Sequence, residues 1–348
     1  MFCRVMISAL FVIWCPISAF SSTSVTMFVG EVKVQAQGDE RWKPVARGTV
    51  LSTGDVISTG EDSYAEITAG GNVIRVNAGS RVRISRSMVD EKEGDSLSMF
   101  FGSILLKIAK LGKDEEPYVV ETPSALCAVR GTEFAVASGL DGQTIVQVSE
   151  GSVSLRGNEK EVLISKDQES TVSLGGEPTG ITRLKRRAWN QWLQETGKTM
   201  KGNELAVLRG ALIRMNRLGR DIEALEGLQE KYTKQKEEFQ AKAQKYLKAG
   251  DRERHGEYST RAHRAKRAAY VAMNAAFYKA EKLDLIRGLA AGAFESLREK
   301  TGEAGDAHDR IEAIFKRNHE RYIKKIRSHD SLREKILEKR RKRNTRDE

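Results

Sequence analysis

The chain has 348 residues, of which 39% are hydrophobic and 31% are charged, and its formal net charge is +11. This composition is low in apolar residues for one compact globule, and the length predicts two or three structural units. The charge is divided: residues 183–348 contain 42 lysines and arginines against 25 acidic residues, whereas residues 1–182 contain 17 against 23. All five prolines precede residue 183, and all five histidines follow it. A single uniform domain is therefore excluded.

The first 21 residues have the pattern of a signal peptide. Arg4 supplies a positive charge, residues 5–15 are apolar, and Ala19 and Ser21 are small residues before a cut after position 21. The apolar run is shorter than the roughly 20 residues of a membrane span. We therefore predict export to the periplasm or cell envelope. Two alternatives stay open: an uncleaved inner-membrane anchor, or a lipoprotein acylated at Cys15.

Residues 22–180 predict a β domain. Short alternations of apolar and polar residues are interrupted by glycine, asparagine and aspartate. Gly70-Gly71 and Asp141-Gly142 each lie between two such runs, which is the pattern of a tight β-hairpin. The predicted fold class is a sandwich or a short solenoid-like sheet, followed by a separate antiparallel helical region.

Short segments in this region resemble the signature of the FecR domain, an extracytoplasmic β module. They occur in the expected order at 48–60, 63–67, 80–84, 101–104, 122–123, 129–134 and 150–153. The resemblance implies a periplasmic module that binds or assembles. FecR regulators of sigma factors carry a cytoplasmic helical domain and a membrane span before this module. Only about 25 residues precede the first predicted strand here, so we expect a lone FecR module with a helical extension.

The FecR-like motif contains residues that could be mistaken for a functional site. We interpret them as structural, because glycine, threonine and alternating apolar residues specify turns and strand starts. The motif residues are Thr122, Pro123, Arg130, Gly131, Thr132, Glu133, Phe134 and Gly151.

No group of residues predicts catalysis, a cofactor or a metal. Cys127 is the only cysteine after the predicted cut, and its apolar neighbours predict a buried thiol. The histidines have no ligand spacing. Gly197-Lys198-Thr199 ends like a phosphate loop, but the loop's first glycine is replaced by Trp192. We therefore predict a protein that is not an enzyme.

The C-terminal half predicts long helices. After a linker at 181–202, residues 203–338 lack proline and are rich in helix-forming residues, and residues 339–348 form a basic tail that we expect to be disordered. Apolar residues recur at heptad positions from Leu208 to Tyr246, and breaks at 249–251 and 302–306 divide the region into three helices. An antiparallel hairpin within one chain and a dimer sharing these seams both fit the pattern.

Two basic clusters in the helical half could contact a polyanion. Export argues against nucleic acid and favours an anionic membrane surface or a glycan. The alternative is a solvated helix face. The candidate contacts are Arg261, Arg264, Lys266, Arg267, Arg340, Arg341, Lys342 and Arg343.

These observations favour a periplasmic binding or scaffold protein. The FecR-like domain would recognise an envelope protein or glycan, and the basic helices would mediate self-association or attachment to the envelope. Two alternatives remain: an extracytoplasmic signalling accessory that regulates an envelope regulator or sigma-factor pathway, and a polyanion-binding protein.

Overall fold

A computed structural model describes residues 23–89, 92–109 and 116–301, together with residues 313, 316–317, 320–321 and 324. A large, mostly antiparallel β region spans residues 24–183, and a long helical region follows it. The predicted fold class is confirmed. The predicted signal peptide and the basic tail lie outside the described residues.

The β region is built from two sheets that share one strand. In the first sheet the order is β1-β5-β6-β8-β11-β12-β15-β16, and all pairs are antiparallel. Its strands are β1 (Ser24–Val29), β5 (Tyr64–Ala69), β6 (Asn72–Val76), the C-terminal part of β8 (Lys92–Lys107), β11 (Glu133–Ser138), β12 (Thr144–Glu150), β15 (Gln168–Val172) and β16 (Thr182–Arg183).

In the second sheet the order is β3-β2-β4-β7-β8-β9-β10-β13-β14, and only the β8–β9 pair is parallel. Its strands are β2 (Val32–Gln35), β3 (Trp42–Pro44), β4 (Val56–Thr59), β7 (Arg81–Val89), the N-terminal part of β8, β9 (Tyr118–Glu121), β10 (Leu126–Val129), β13 (Ser152–Arg156) and β14 (Glu161–Ser165).

The two predicted hairpin turns are present. Gly70 and Gly71 join β5 to β6 with φ values of 57° and 82°, and Ala69 pairs with Asn72 across the turn. Gly142 has a φ of 80° in the turn between β11 and β12. Both turns need positive φ, which glycine adopts without steric cost.

Gly102 marks the place where β8 passes from one sheet to the other. Its φ is 105°, and an added Cβ would lie 2.4 Å from the Cα of Ser80. This glycine lies inside a 16-residue strand, so β8 bends here without ending.

One core fills the space between the sheets. Alternate residues of each strand point inward, as the period of two requires. The largest side chains of this core with under 2% exposure are Ile57, Ile67, Ile74, Leu97, Met99, Ile104, Leu106, Phe134, Leu155 and Ile164. The β region is therefore a packed sandwich.

Within the described range 184–301, three helices follow the sandwich: α1 (Trp189–Gly202), α2 (Glu204–Lys248) and α3 (Arg252–Thr301). The segment predicted as a linker, 181–202, contains β16 and the whole of α1. Thr196 of α1 accepts a hydrogen bond from the backbone N–H of Leu140 at 3.2 Å, so tertiary contacts hold this segment against the β11–β12 turn.

The helices α2 and α3 form an antiparallel hairpin within one chain. The predicted seam of α2 is buried against apolar residues of α3; the contacting side chains are Leu208, Ala211, Met215, Leu218 and Ile222 of α2, and Ala276, Ala280, Leu283, Ala290 and Phe294 of α3. The alanines allow close approach of the two helices. Of the predicted third helix, the described residues 313, 316–317, 320–321 and 324 are helical.

Candidate functional site

The Thr122-Pro123 part of the motif forms a buried turn. The Thr122 hydroxyl accepts a hydrogen bond from the Ala125 N–H at 2.9 Å and lies 2.8 Å from the Thr144 hydroxyl. Ser124 donates to Thr144 at 2.7 Å and to the Val172 carbonyl at 3.2 Å. These bonds tie the turn after β9 to β12 and β15.

The second part of the motif forms the corner between β10, β11 and β13. Thr132 is buried and donates a hydrogen bond to the Ser152 carbonyl at 2.9 Å. Gly131 and Gly151 have φ values of 59° and 78°. Phe134 is fully buried in the core. These contacts fix the positions of β10, β11 and β13 relative to one another.

The two charged motif residues do not converge on a common point. Arg130 is exposed at the end of β10. Glu133 lies 3.9 Å from the ammonium group of Lys107, and both side chains are open to solvent. An exposed pair of this kind contributes little to stability.

Cys127 lies inside the sandwich. Its side chain has no solvent exposure, and burial raises the pKa of the thiol to about 12. A thiol in this environment stays protonated at neutral pH and is a poor nucleophile.

The basic cluster on α3 is exposed. Arg261, Arg264, Lys266 and Arg267 all face solvent. Arg261 lies 2.6 Å from Glu257 and 5.3 Å from the centre of the Tyr258 ring. The four candidate contacts in the tail, residues 340–343, lie outside the described residues.

Residues 226–270 form the distal half of the hairpin, which we call the arm. Its two helices contact each other through stacked Tyr246 and Tyr258, whose ring centres are 5.5 Å apart, and through the neighbouring Phe239. Nearer the sandwich, Arg217 of α2 lies 3.5 Å from Glu159. From Arg217 to the end of α2, the helix continues for about 45 Å at 1.5 Å per residue.

Buried ion pairs fasten the hairpin to the second sheet. The Lys282 ammonium lies 2.9 Å from the Glu121 carboxylate, with 13% and 8% of the two side chains exposed. Arg83 of β7 donates to Asp284 at 2.6 Å, and Arg287 also contacts Asp284. The surface that α3 presents to the sandwich therefore contains charged as well as apolar residues.

The contact between the hairpin and the second sheet contains more cationic than anionic side chains. Arg214 of α2 is 8% exposed, and its Nε has no hydrogen-bond partner among the described residues. Burial lowers the pKa of Arg214 and of Lys282, because each cation has lost water. The sequence reasoning missed this network, although Glu121 at the end of the apolar run 118–120 was a signal.

A groove lies between α1 and two turns of the sandwich, at 60–63 and 77–80. It consists of two adjoining cavities of about 450 and 350 Å³, which share Glu61, Asp62, Ala78 and Asn190. Tyr64 and Trp189 line one cavity, and Phe101 lines the other. No local sequence pattern predicts this groove, because its lining residues come from distant segments of the chain.

The described residues contain no cluster of three or more histidine, cysteine, aspartate or glutamate side chains placed to hold a metal ion. Within the same part of the chain, no helix has both the length and the apolar character needed to cross a bilayer.

Residues 55–154 match the model of a family described as FecR protein, which confirms the resemblance seen in the sequence. Two crystal structures of a candidate anti-sigma factor from Parabacteroides distasonis ATCC 8503 are similar to the chain, with 22% identity and a TM-score of 0.33. The similarity covers 40% of this chain and 64% of that one, which is less than two thirds of its length. A comparison with curated proteins finds no match. The family match ends within β13 and includes none of the three helices.

Proposed function

We propose that this protein, whose residues 55–154 match the FecR family, is a non-enzymatic binding protein of the cell envelope. The FecR-type sandwich recognises an envelope protein or glycan, and the helical arm holds or positions the complex. The signal peptide predicted at residues 1–21 supports export to the periplasm or cell envelope. The observation that carries the proposal is the hairpin. Buried and part-buried ion pairs fasten it to the sandwich at one end, and α2 extends about 45 Å beyond Arg217, with the arm at its far end.

The contacts at the base of the hairpin support a fixed arm. Buried charges that lose their partner are costly, so Lys282–Glu121 and Arg83–Asp284 specify one docking geometry. The α2–α3 seam adds an apolar contact along the hairpin. An arm held in this way can present the same surface to a partner each time.

Site-specific photo-cross-linking in intact cells tests the proposal. A photoreactive residue is placed at Gln240 on the exposed arm, and at Glu40 on the turn between β2 and β3. We expect adducts with a defined envelope component, identified by mass spectrometry. Absence of any adduct at both positions, in cells that export the protein, would contradict a binding function.

A second candidate function is polyanion binding by the arm, which the exposure of Arg261, Arg264, Lys266 and Arg267 favours. Anionic lipid headgroups or acidic glycans would be the ligands, and the affinity would fall with salt. Sedimentation with liposomes containing phosphatidylglycerol tests it. Replacing the four cations by glutamine should abolish the binding, and equal binding to neutral liposomes would contradict it.

A third candidate is a signalling accessory that regulates an envelope regulator or sigma-factor pathway. The FecR family match favours it. Deleting residues 203–348 or the whole coding sequence and measuring transcription of neighbouring envelope genes tests this role. Unchanged transcription in both strains would argue against it.

A further inference from the structure

We propose that the groove between α1 and the turns at 60–63 and 77–80 binds a neutral saccharide. This inference rests on the proposed binding function and names a ligand class for the sandwich. It is independent of what the arm contacts.

The floor of the groove is pre-formed by hydrogen bonds between the two turns. The Gly79 N–H donates to the Gly60 carbonyl at 2.9 Å. The Thr59 hydroxyl donates to the Asn77 carbonyl at 2.6 Å and accepts from the Ser80 N–H at 3.0 Å. A ligand would therefore meet turns that are already ordered, which reduces the entropy lost on binding.

The other wall is α1, which is held in place at its middle. Thr196 is 4% exposed and bonded to the β11–β12 turn, and the side chain of Leu193 approaches Gly79. The first turn of α1, with Trp189 and Asn190, lines the opening. Its backbone N–H groups receive no side-chain cap, so they remain available as donors.

The lining combines aromatic faces with polar groups that can both donate and accept. Tyr64 and Trp189 are half-buried, and the Arg75 guanidinium lies 4.2 Å from the centre of the Tyr64 ring. Glu61, Asp62 and Asn190 are exposed. A sugar ring has an apolar C–H face that packs on an aromatic ring, and hydroxyls that donate to carboxylates and accept from N–H groups.

The charge and the volume of the groove narrow the class of ligand that it can bind. The two carboxylates beside one guanidinium disfavour phosphate or an acidic polymer. The cavities fall within the roughly 300–1,000 Å³ of small-molecule sites, but their polar rim does not suit a purely apolar ligand. A cationic peptide is the rival occupant, and the experiment separates it from a sugar.

The test titrates the full exported protein with three soluble, neutral probes: a tetramer of N-acetylglucosamine, maltotetraose and cellotetraose. A lysine-rich peptide is the fourth probe, because a cationic peptide is the rival occupant of the groove. Calorimetry reports binding to every variant, and intrinsic fluorescence, to which Trp42, Trp189 and Trp192 all contribute, is recorded beside it. We expect at least one sugar to bind, a loss of tenfold or more in Trp189→Ala, and a loss of several-fold in Asn190→Ala.

The matched control is Gln191→Ala, because Gln191 is also an exposed amide in the first turn of α1 but does not line the groove. It should bind within twofold of the unaltered protein. If Trp189→Ala fails to fold, the surface changes Asp62→Ala and Asn190→Ala carry the test.

Three results would overturn the inference: no sugar binds at millimolar concentration, binding is unchanged in the groove variants, or only the peptide binds. Failure here leaves the binding function standing if arm cross-links to an envelope component still form. Loss of those cross-links together with retained sugar binding would leave the groove site standing and would remove the role proposed for the arm.

Discussion

At the scale of single residues, the FecR motif is explained by backbone geometry. Gly151 has a φ of 78°, and an added Cβ would lie 2.8 Å from the Thr132 hydroxyl oxygen. That hydroxyl is buried and bonded to Ser152. The corner therefore requires a glycine at position 151, and a structural role for the motif residues as a group stays a prediction.

Gly151→Ala should destabilise the sandwich by about 1–3 kcal/mol, because alanine is strained at positive φ and would also displace Thr132. Urea unfolding followed by circular dichroism measures the loss. Gly180→Ala is the matched control, since nothing lies within 4 Å of a Cβ at Gly180. Equal stability of the two variants would show that the corner tolerates a side chain.

The buried pair Lys282–Glu121 gives a second prediction at this scale. Lys282→Met keeps most of the side-chain volume but leaves the Glu121 carboxylate buried without its 2.9 Å partner. We expect a loss of about 3 kcal/mol in the free energy of unfolding. Adding Glu121→Gln should recover most of it, because no uncompensated charge then remains. If Lys282→Met alone is as stable as the unaltered protein, the Lys282–Glu121 ion pair does not stabilise the fold.

At the scale of elements, the beginning of α2 is fastened to the end of α3. Glu204 accepts a hydrogen bond from Ser296 at 2.9 Å and lies 2.5 Å from the Lys300 ammonium. Burial would raise the pKa of Glu204, but hydrogen bonds from Lys300, its own backbone and Ser296 outweigh burial and hold the pKa below its usual value. A carboxylate at a helix N-terminus also complements the helix dipole.

This lowered pKa predicts a pH dependence. Because the carboxyl titrates lower in the folded state, its stabilising contribution is present above the unfolded value of about 4.3 and is lost as pH falls through the folded pKa. Glu204→Gln should therefore weaken the hairpin at pH 7 and reduce the fall in stability between about pH 5 and pH 3. Unfolding at several pH values measures this. Glu237→Gln, an exposed change on the same helix, should leave the profile unaltered.

At the scale of the whole molecule, the apolar faces of α2 and α3 pack against each other within one chain. The apolar residues that could have joined two chains are buried between α2 and α3 of one chain. Self-association through the helical region stays a prediction, and it would require other surfaces. The fixed arm depends instead on the charged contact between α3 and the second sheet.

Exchanging the charges of Arg83 and Asp284 tests that contact. Asp284→Arg alone adds a third cation beside Arg83 and Arg287 and should undock α3 from β7, which would raise the hydrogen exchange of residues 278–290 by tenfold or more. Adding Arg83→Asp should restore at least part of the protection. If the single change leaves exchange and small-angle X-ray scattering unaltered, the ion pair does not hold the arm.

The sequence by itself determined the division into a β domain and a helical region, the hairpin turns and the apolar seam of α2. These features follow from local periodicity and from glycine, both of which act over a few residues. The buried state of Cys127 was also predictable from its apolar neighbours.

Only the tertiary structure decided where α1 lies, which residues fasten the hairpin and where the groove forms. The residues 181–202 carry no strong helical pattern, and α1 is held by contacts with the distant turn at 139–143. Glu121 and Lys282 are 161 positions apart, so neither one's local sequence predicts their pairing. Local sequence preferences determine individual helices and strands, whereas charge pairs and cavities depend on which of these elements meet in space.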